Sequence, residues 1–176
     1  MHSSLSIEVE SAPETVFELA RDVSRWPALL PHYRRAEVRA RSADRVLAQF
    51  VAVRRFGRLP LPVTWRAVCW AEAEDPADLR LRFLHVRGVT RGMRVTWHIR
   101  PLPGEGPRSR VTIEHDFERG LPLLSVLGKN ALPAMVDRGF TRPIATRTLR
   151  TFKALAEAET ETSRHPDDRS ATNLPL

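Results

Sequence analysis

The chain has 176 residues and a mass of 20.0 kDa, with 42% hydrophobic and 28% charged residues, enough for one domain with its own core and too short for two ordinary ones. Net charge is +7, and all the basic residues except Lys129 and Lys153 are arginines. No apolar run reaches the roughly 18 residues of a membrane helix, residues 1–6 lack a secretory leader's basic and apolar regions, and one cysteine, Cys69, excludes an internal disulfide or a zinc site of paired cysteines; the expected compartment is the cytoplasm.

In chain order, residues 5–10 alternate as a first strand. The run Ser11-Ala12-Pro13-Glu14 opens a helix whose apolar face is Val16, Phe17, Leu19 and Ala20, with proline and an acid in its first turn. A second short helical piece spans residues 24–30 and is closed by Pro31. Strands are then predicted over 36–43, with Val38 and Ala40 on one face, and over 46–53. Pro60 and Pro62 are expected to break the chain before a strand at 63–70.

Leu79, Leu81, Phe83 and His85 alternate with Arg80 and Arg82, and Gly88 and Gly92 bracket a turn. Met93, Val95, Trp97 and Ile99 oppose Arg94, Thr96, His98 and Arg100. After a proline-bounded loop at 101–107, Val111, Ile113, His115 and Phe117 oppose Arg110, Thr112, Glu114 and Asp116. The pattern is an antiparallel meander with one apolar face and one arginine-rich, solvated face. From about 131 to 158 the period turns helical, with Val136, Phe140, Ile144, Thr148 and Phe152 four residues apart and Pro143 predicting a kink. Residues 1–159 are expected to form the single domain and 160–176 a disordered tail.

That tail carries most of its charge as acid. The last twenty residues hold five acids against Arg164 and Arg169, which leaves +10 on the body. A surface of that sign favours an acidic protein partner, anionic lipid or nucleic acid, unless its arginines simply sit in water. Nucleotide and metal chemistry have little support. There is no G-x-G-x-x-G, no Walker sequence, no G-x-S-x-G elbow and no H-E-x-x-H, and the six histidines never fall at a helix-ligand spacing.

Four local signatures carry a family resemblance: Ala12-Pro13-x-x-Val16-Phe17, Arg21-Asp22-Val23-x-x-Trp26-Pro27-x-Leu29-x-Pro31-x-Tyr33, Gly92-Met93-x-Val95-x-Trp97, and Arg147-Thr148-Leu149-x-x-Phe152-Lys153. On these the chain resembles the helix-grip (START-like, SRPBCC) superfamily, in its polyketide cyclase/aromatase and coenzyme-Q-binding branch. The resemblance implies an α+β fold, a curved antiparallel sheet of about seven strands wrapped around a long C-terminal helix over a hydrophobic cavity. Single-domain aromatase/cyclases look most similar. They imply a cavity that takes a poly-β-ketone from an acidic acyl carrier protein, closes it by aldol chemistry and assists loss of water, without a cofactor or metal.

Carried over position by position, Trp26, Leu30 and Tyr33 match cavity-lining positions after the first helix, and Trp65, Ala67, Met93, Val95 and Trp97 match inward sheet positions. Cys69 stands where the family has its catalytic arginine, four residues after the tryptophan matching Trp65; Arg66 is nearby with the opposite parity. Cys69 is expected to be a small buried residue that enlarges the pocket, and Phe83, Phe140 and Ile144 to add to its wall. The candidate catalytic groups are Tyr33 as donor and His85 and His115 as bases for an acidic methylene; otherwise these pack as satisfied core residues.

Arg147 is a candidate for reaching the cavity or a phosphate on the carrier arm. The apolar stretch 120–128 is a candidate lip, membrane contact or buried helix. The competing function is a non-catalytic lipid or quinone carrier of the same fold, and nucleic-acid binding is the weakest reading. The ligand is expected to be a polyketide or another hydrophobic or aromatic molecule, and the protein a monomer or homodimer.

Overall fold

The computed structural model describes residues 2–56, 59–117 and 141–164. Strand β1 (His2–Val9) is followed by helix α1 (Pro13–Arg21), a 3-10 turn (Val23–Arg25) and the short helix α2 (Trp26–Leu29). Six strands follow: β2 (Tyr33–Ser42), β3 (Arg45–Phe56), β4 (Leu59–Glu72), β5 (Leu79–Gly88), β6 (Arg94–Pro101) and β7 (Ser109–Asp116). Helix α3 (Arg142–Arg164) ends the described chain. All neighbouring strands are antiparallel, in the order β1-β7-β6-β5-β4-β3-β2. The chain therefore leaves one edge of the open sheet at β1 and re-enters at the opposite edge through α1 and α2.

Period-two alternation places the core. On β5 to β7 the buried set is Leu79, Leu81, Phe83, Val95, Trp97, Ile99, Val111 and Ile113, and the arginines between them face outward. On β2 the expected alternation fails. Register shifts between Tyr33 and Arg35 and between Val38 and Ala40 rotate the strand, so Ala40 is exposed while Tyr33 and Ala36 are buried.

Strand β4 begins at Leu59, through the prolines that were expected to break it. Residues 59–64 pair with β3 alone, because β5 reaches only to Trp65. There β4 is an edge, and the missing N–H groups of Pro60 and Pro62 cost no ladder bond. Pro143 is helical in α3, and residues 118–140 before it lie outside the described set. The expected kink and the stretch 120–128 fall on or beside residues outside the described set. Helix α3 runs to Arg164 and so takes in the first five residues of the expected tail, and 165–176 lie outside the described residues.

Specific polar contacts fasten α3 to the start of the chain. Lys153 Nζ donates to the Glu8 carbonyl at 2.7 Å and pairs with Glu157, whose carboxylate accepts the Glu10 N–H at 2.8 Å. Thr160 bonds the buried Ser11 hydroxyl at 2.8 Å. These bonds cover β1, an edge strand that would otherwise offer free backbone groups. On the opposite face, Asp78 is buried under Arg80, His98 and Arg100. Burial alone would raise its pKa, but the bonds from Arg100, His98 and Arg80 hold the carboxyl well below the usual range. The expected solvated face is in this part a tied network.

At the centre is Trp26. Its indole N–H donates to the Ala20 carbonyl at 2.9 Å. Its rings lie 5.1–6.1 Å from Tyr33, Phe50, Phe83, Trp97 and Phe152, which come from β2, β3, β5, β6 and α3. Trp26→Ala removes this shared surface and is expected to cost about 3–5 kcal/mol. Trp26→Phe keeps most of the area, orphans the Ala20 carbonyl and is expected to cost about 1–3 kcal/mol. Urea midpoints at unchanged m-value measure both.

Candidate functional site

Between the concave sheet face and α3 lies a cavity of about 90 Å³. Its wall is mostly aromatic and aliphatic: Trp26, Tyr33, Phe50, Trp65, Phe83 and Trp97, with Val63, Met93, Val95 and Ile113 between them and Ile144 and Ala145 from α3. Thr90, Thr141, Thr148, His85 and His115 complete it, so no formally charged side chain lines the cavity among the described residues. The volume is below the roughly 300 Å³ from which ligand sites usually begin.

The three expected polar groups converge here. Tyr33 is brought inward by the irregularity at the start of β2. His85 continues the inward alternation of Leu79, Leu81 and Phe83 and pairs with Ala67; just beyond it a bulge leaves Val86 with no β4 partner of its own and sets Arg87 opposite Arg66. The imidazole then stacks on Trp65 at 5.8 Å and 19°, and Trp65 stacks in turn on Phe50 at 5.3 Å and 16°. Thr90, in the turn between Gly88 and Gly92, sits with Oγ1 2.7 Å from His85 Nδ1. Both glycines have positive φ, 99° and 93°, which lets the chain reverse tightly enough to bring Thr90 over the ring. His115 faces the same space from β7.

The environment fixes protonation. Burial, and then the neighbouring His115, push the His85 pKa down to about 3, so the ring is neutral at pH 7. Burial pushes the Tyr33 phenol above its usual range, and Thr148 hydrogen-bonds the hydroxyl. Tyr33 therefore keeps its proton and can donate it. Burial pushes the Cys69 thiol up to about 12, which leaves no thiolate for nucleophilic work.

Of the other expected wall residues, Leu30, Ala67 and Cys69 are buried in the packed core and are not part of the cavity lining. Cys69 therefore does not enlarge the cavity: it faces Phe83 across the ladder, and that larger ring forms the wall. Phe140 lies outside the described residues. Arg66 stays on the outer face despite the adjacent bulge, with Nε donating to Gln49 Oε1 at 3.1 Å, because the extra residue sits in β5 and leaves the parity of β4 unchanged. Arg147 is exposed, and its charge acts on the neighbouring His32.

Sequence reasoning missed Phe50, Thr90 and His32. Phe50 was legible as the inward residue between Ala48 and Ala52, directly opposite Trp65. Thr90 had no signal, because its role depends on the turn geometry. His32 is buried with Nε2 2.9 Å from Thr148 Oγ1, completing a His32–Thr148–Tyr33 chain; burial and Arg147 push its pKa down to about 4. No group of three or more His, Cys, Asp or Glu side chains among the described residues is placed to hold a metal ion. None of their helices is long and apolar enough to cross a membrane.

A seven-strand antiparallel sheet gripping one long helix over a cavity is the architecture of the START/SRPBCC superfamily. Residues 9–140 match the family described as polyketide cyclase/dehydrase and lipid transport, and the chain belongs to that family. No curated protein matches it in sequence. Among solved structures it is similar to the Thermus thermophilus protein TTHA0849, at 23% identity and TM-score 0.68 over 91% of this chain and 99% of that one. It is also similar to the Zhui aromatase/cyclase from Streptomyces sp. R1128, at 16% identity and TM-score 0.60 over 98% of this chain and 99% of that one. A START superfamily protein from Mycobacterium smegmatis matches at 13% identity and TM-score 0.57 over 89% of this chain and 97% of that one. At these identities the likeness defines the fold.

The two depressed imidazoles make stability depend on pH. The unfolded chain protonates its histidines below about pH 6.5, whereas folded His32 and His85 stay neutral down to about 4 and about 3. Their contribution is thus fully present above pH 6.5 and is lost as pH falls toward those values. The urea midpoint is expected to drop between pH 7 and pH 5, and His85→Gln and His32→Gln to flatten that drop. Ring ¹⁵N shifts are expected to show His85 neutral at pH 5.

Proposed function

We propose that the protein is a cofactor-independent aromatase/cyclase that folds a poly-β-ketone held on an acyl carrier protein, closes a ring by aldol addition and assists dehydration. The observation that carries this reading is the convergence of Tyr33, His85 and His115 on a largely apolar, tryptophan-walled cavity. Flat aromatic walls restrict how a flexible chain can bend, which is the main demand of the reaction. Trp65, in a row with Phe50 and His85, contributes to the wall against which the ring would close. The small volume suits the part of the chain that is closing rather than its whole length.

Tyr33 donates to the oxygen that gains charge as the enolate forms. In the tautomer that donates Nδ1–H to Thr90, the Nε2 lone pair of His85 is left to act as the base. A resting pKa of about 3 makes it a weak base. An enolate beside it favours the protonated ring and raises that value during the reaction. The acidic carrier protein would be drawn by the net charge of +7, in the cytoplasm, with the enzyme a monomer or homodimer.

The alternative is a lipid or quinone carrier, favoured by one feature: no charged side chain reaches the cavity among the described residues, and Cys69 stands where the resemblance implies an arginine. A minimal polyketide synthase that releases an uncyclised poly-β-ketone separates the two. The wild type is expected to redirect the chain to a new aromatic product, and Tyr33→Phe and His85→Ala, each folded, to lower its rate by about 10²–10⁴-fold. An unchanged product profile, with lipid or quinone retained by both variants, would establish the carrier instead.

A further inference from the structure

We propose that the outer face of the sheet carries a phosphate-binding crevice at Arg66 and Arg87, separate from the cavity. The crevice has a volume of about 230 Å³ and is lined by Gln49, Thr64, Trp65, Arg66, Arg87 and Gly88. Arg66 and Arg87 are direct partners across the β4–β5 ladder, which places their Cβ atoms about 4.5–5.5 Å apart. Like charges in that position repel and destabilise a sheet unless something of opposite sign lies between them.

Nothing of that sign is supplied by the described residues. Arg66 donates only to the neutral Gln49 amide oxygen, at 3.1 Å, an oxygen it shares with Arg39 at 3.4 Å. The acid in the same cross-strand row, Glu37, is occupied by Arg35 and Arg39. Arg87 is exposed and has no acidic partner among the described residues. Several other arginines on this face are matched: Arg80 and Arg100 to Asp78, Arg82 to Glu72, and Arg110 to Glu8.

The floor of the crevice is shaped to stay open. Gly88 has φ of 99°, and a Cβ there would meet the Thr64 carbonyl oxygen at 2.6 Å. A side chain at this position would strain the backbone and close the gap. Two arginines on neighbouring strands lining one crevice suit a tetrahedral oxyanion, which guanidinium groups can hold with paired N–H donors. A phosphate would cancel the repulsion and satisfy donors that Gln49 alone cannot. The phosphate has two possible sources, a free anion or a phosphate ester on an organic chain. Because Trp65 borders both the crevice and the cavity, a phosphate ester held here would place its chain beside the cavity wall.

The full chain is titrated at constant ionic strength with inorganic phosphate and, separately, with phosphopantetheine, following amide shifts and Tm. Saturable shifts are expected at Gln49, Thr64 and Gly88, together with a rise in Tm. Arg66→Gln/Arg87→Gln is expected to weaken binding at least tenfold and to abolish the rise in Tm, whereas the distant control Arg25→Gln/Arg41→Gln changes neither. Arg87→Lys keeps the charge, loses the fork and is expected to weaken binding severalfold, which keeps the test informative if the double variant does not fold.

Tighter binding of phosphopantetheine than of phosphate would identify a site for a phosphate ester, and equal binding a site for the free anion. Only that preference bears on the cyclase reading; the crevice stands without it. Absence of saturable binding by either probe, or equal loss in the control variant, would overturn the proposal.

Discussion

The structure depends on how Trp26 is held. Its indole touches rings from four strands and the long helix, and its one polar atom is satisfied by the Ala20 carbonyl at the end of α1. A buried tryptophan with its N–H bonded contributes a large apolar surface without an orphaned donor. Pro27 fixes the backbone in the first turn of α2, immediately after the indole. Thus the segment that carries the chain from one sheet edge to the other also supplies the centre of the core. Rings this large meet edge-on or tilted around Trp26, and only Phe50, Trp65 and His85 lie flat in a row. That row forms one wall of the cavity the rings do not fill.

Much of this was legible in the sequence because period-two alternation is strong wherever a strand has one wet face. The inward sets of β5, β6 and β7 followed directly from the polar and charged residues that alternate with them. Bulges were not legible: the register shifts in β2 exposed Ala40 and turned Tyr33 inward, and the extra residue Val86 set Arg87 opposite Arg66. The prolines of β4 misled because a proline's cost depends on which neighbour its N–H would face, and at Pro60 and Pro62 β5 does not extend that far. His32 and Thr148 lie 116 residues apart and meet only when α3 docks. No local pattern could pair them.

Polarity is divided between the two faces of one sheet. Inside, three titratable groups stand in apolar surroundings, with His85 held neutral and the Tyr33 phenol held protonated. They therefore act through hydrogen bonds and proton position instead of fixed charge. Outside, charge is organised around buried or half-buried acids, Asp78 above all, which order the arginines of neighbouring strands. Arg66 and Arg87 break that pattern at the point where β5 bulges and Trp65 borders both faces. The bulge sets Arg87 opposite Arg66 on the outer face, while His85, just before it, keeps to the inner one.

The central claim is that the aromatic cavity receives a flat ligand against Trp65, within reach of Tyr33, His85 and His115. Titration of the ¹⁵N-labelled protein with a planar polyphenol tests it most directly, read at the histidine ring nitrogens and at the amides of the wall. The account predicts saturable shifts at His85, His115, Thr90 and Thr148, with His98 on the outer face unchanged. Shifts confined to the outer face, or no saturable binding, would contradict it.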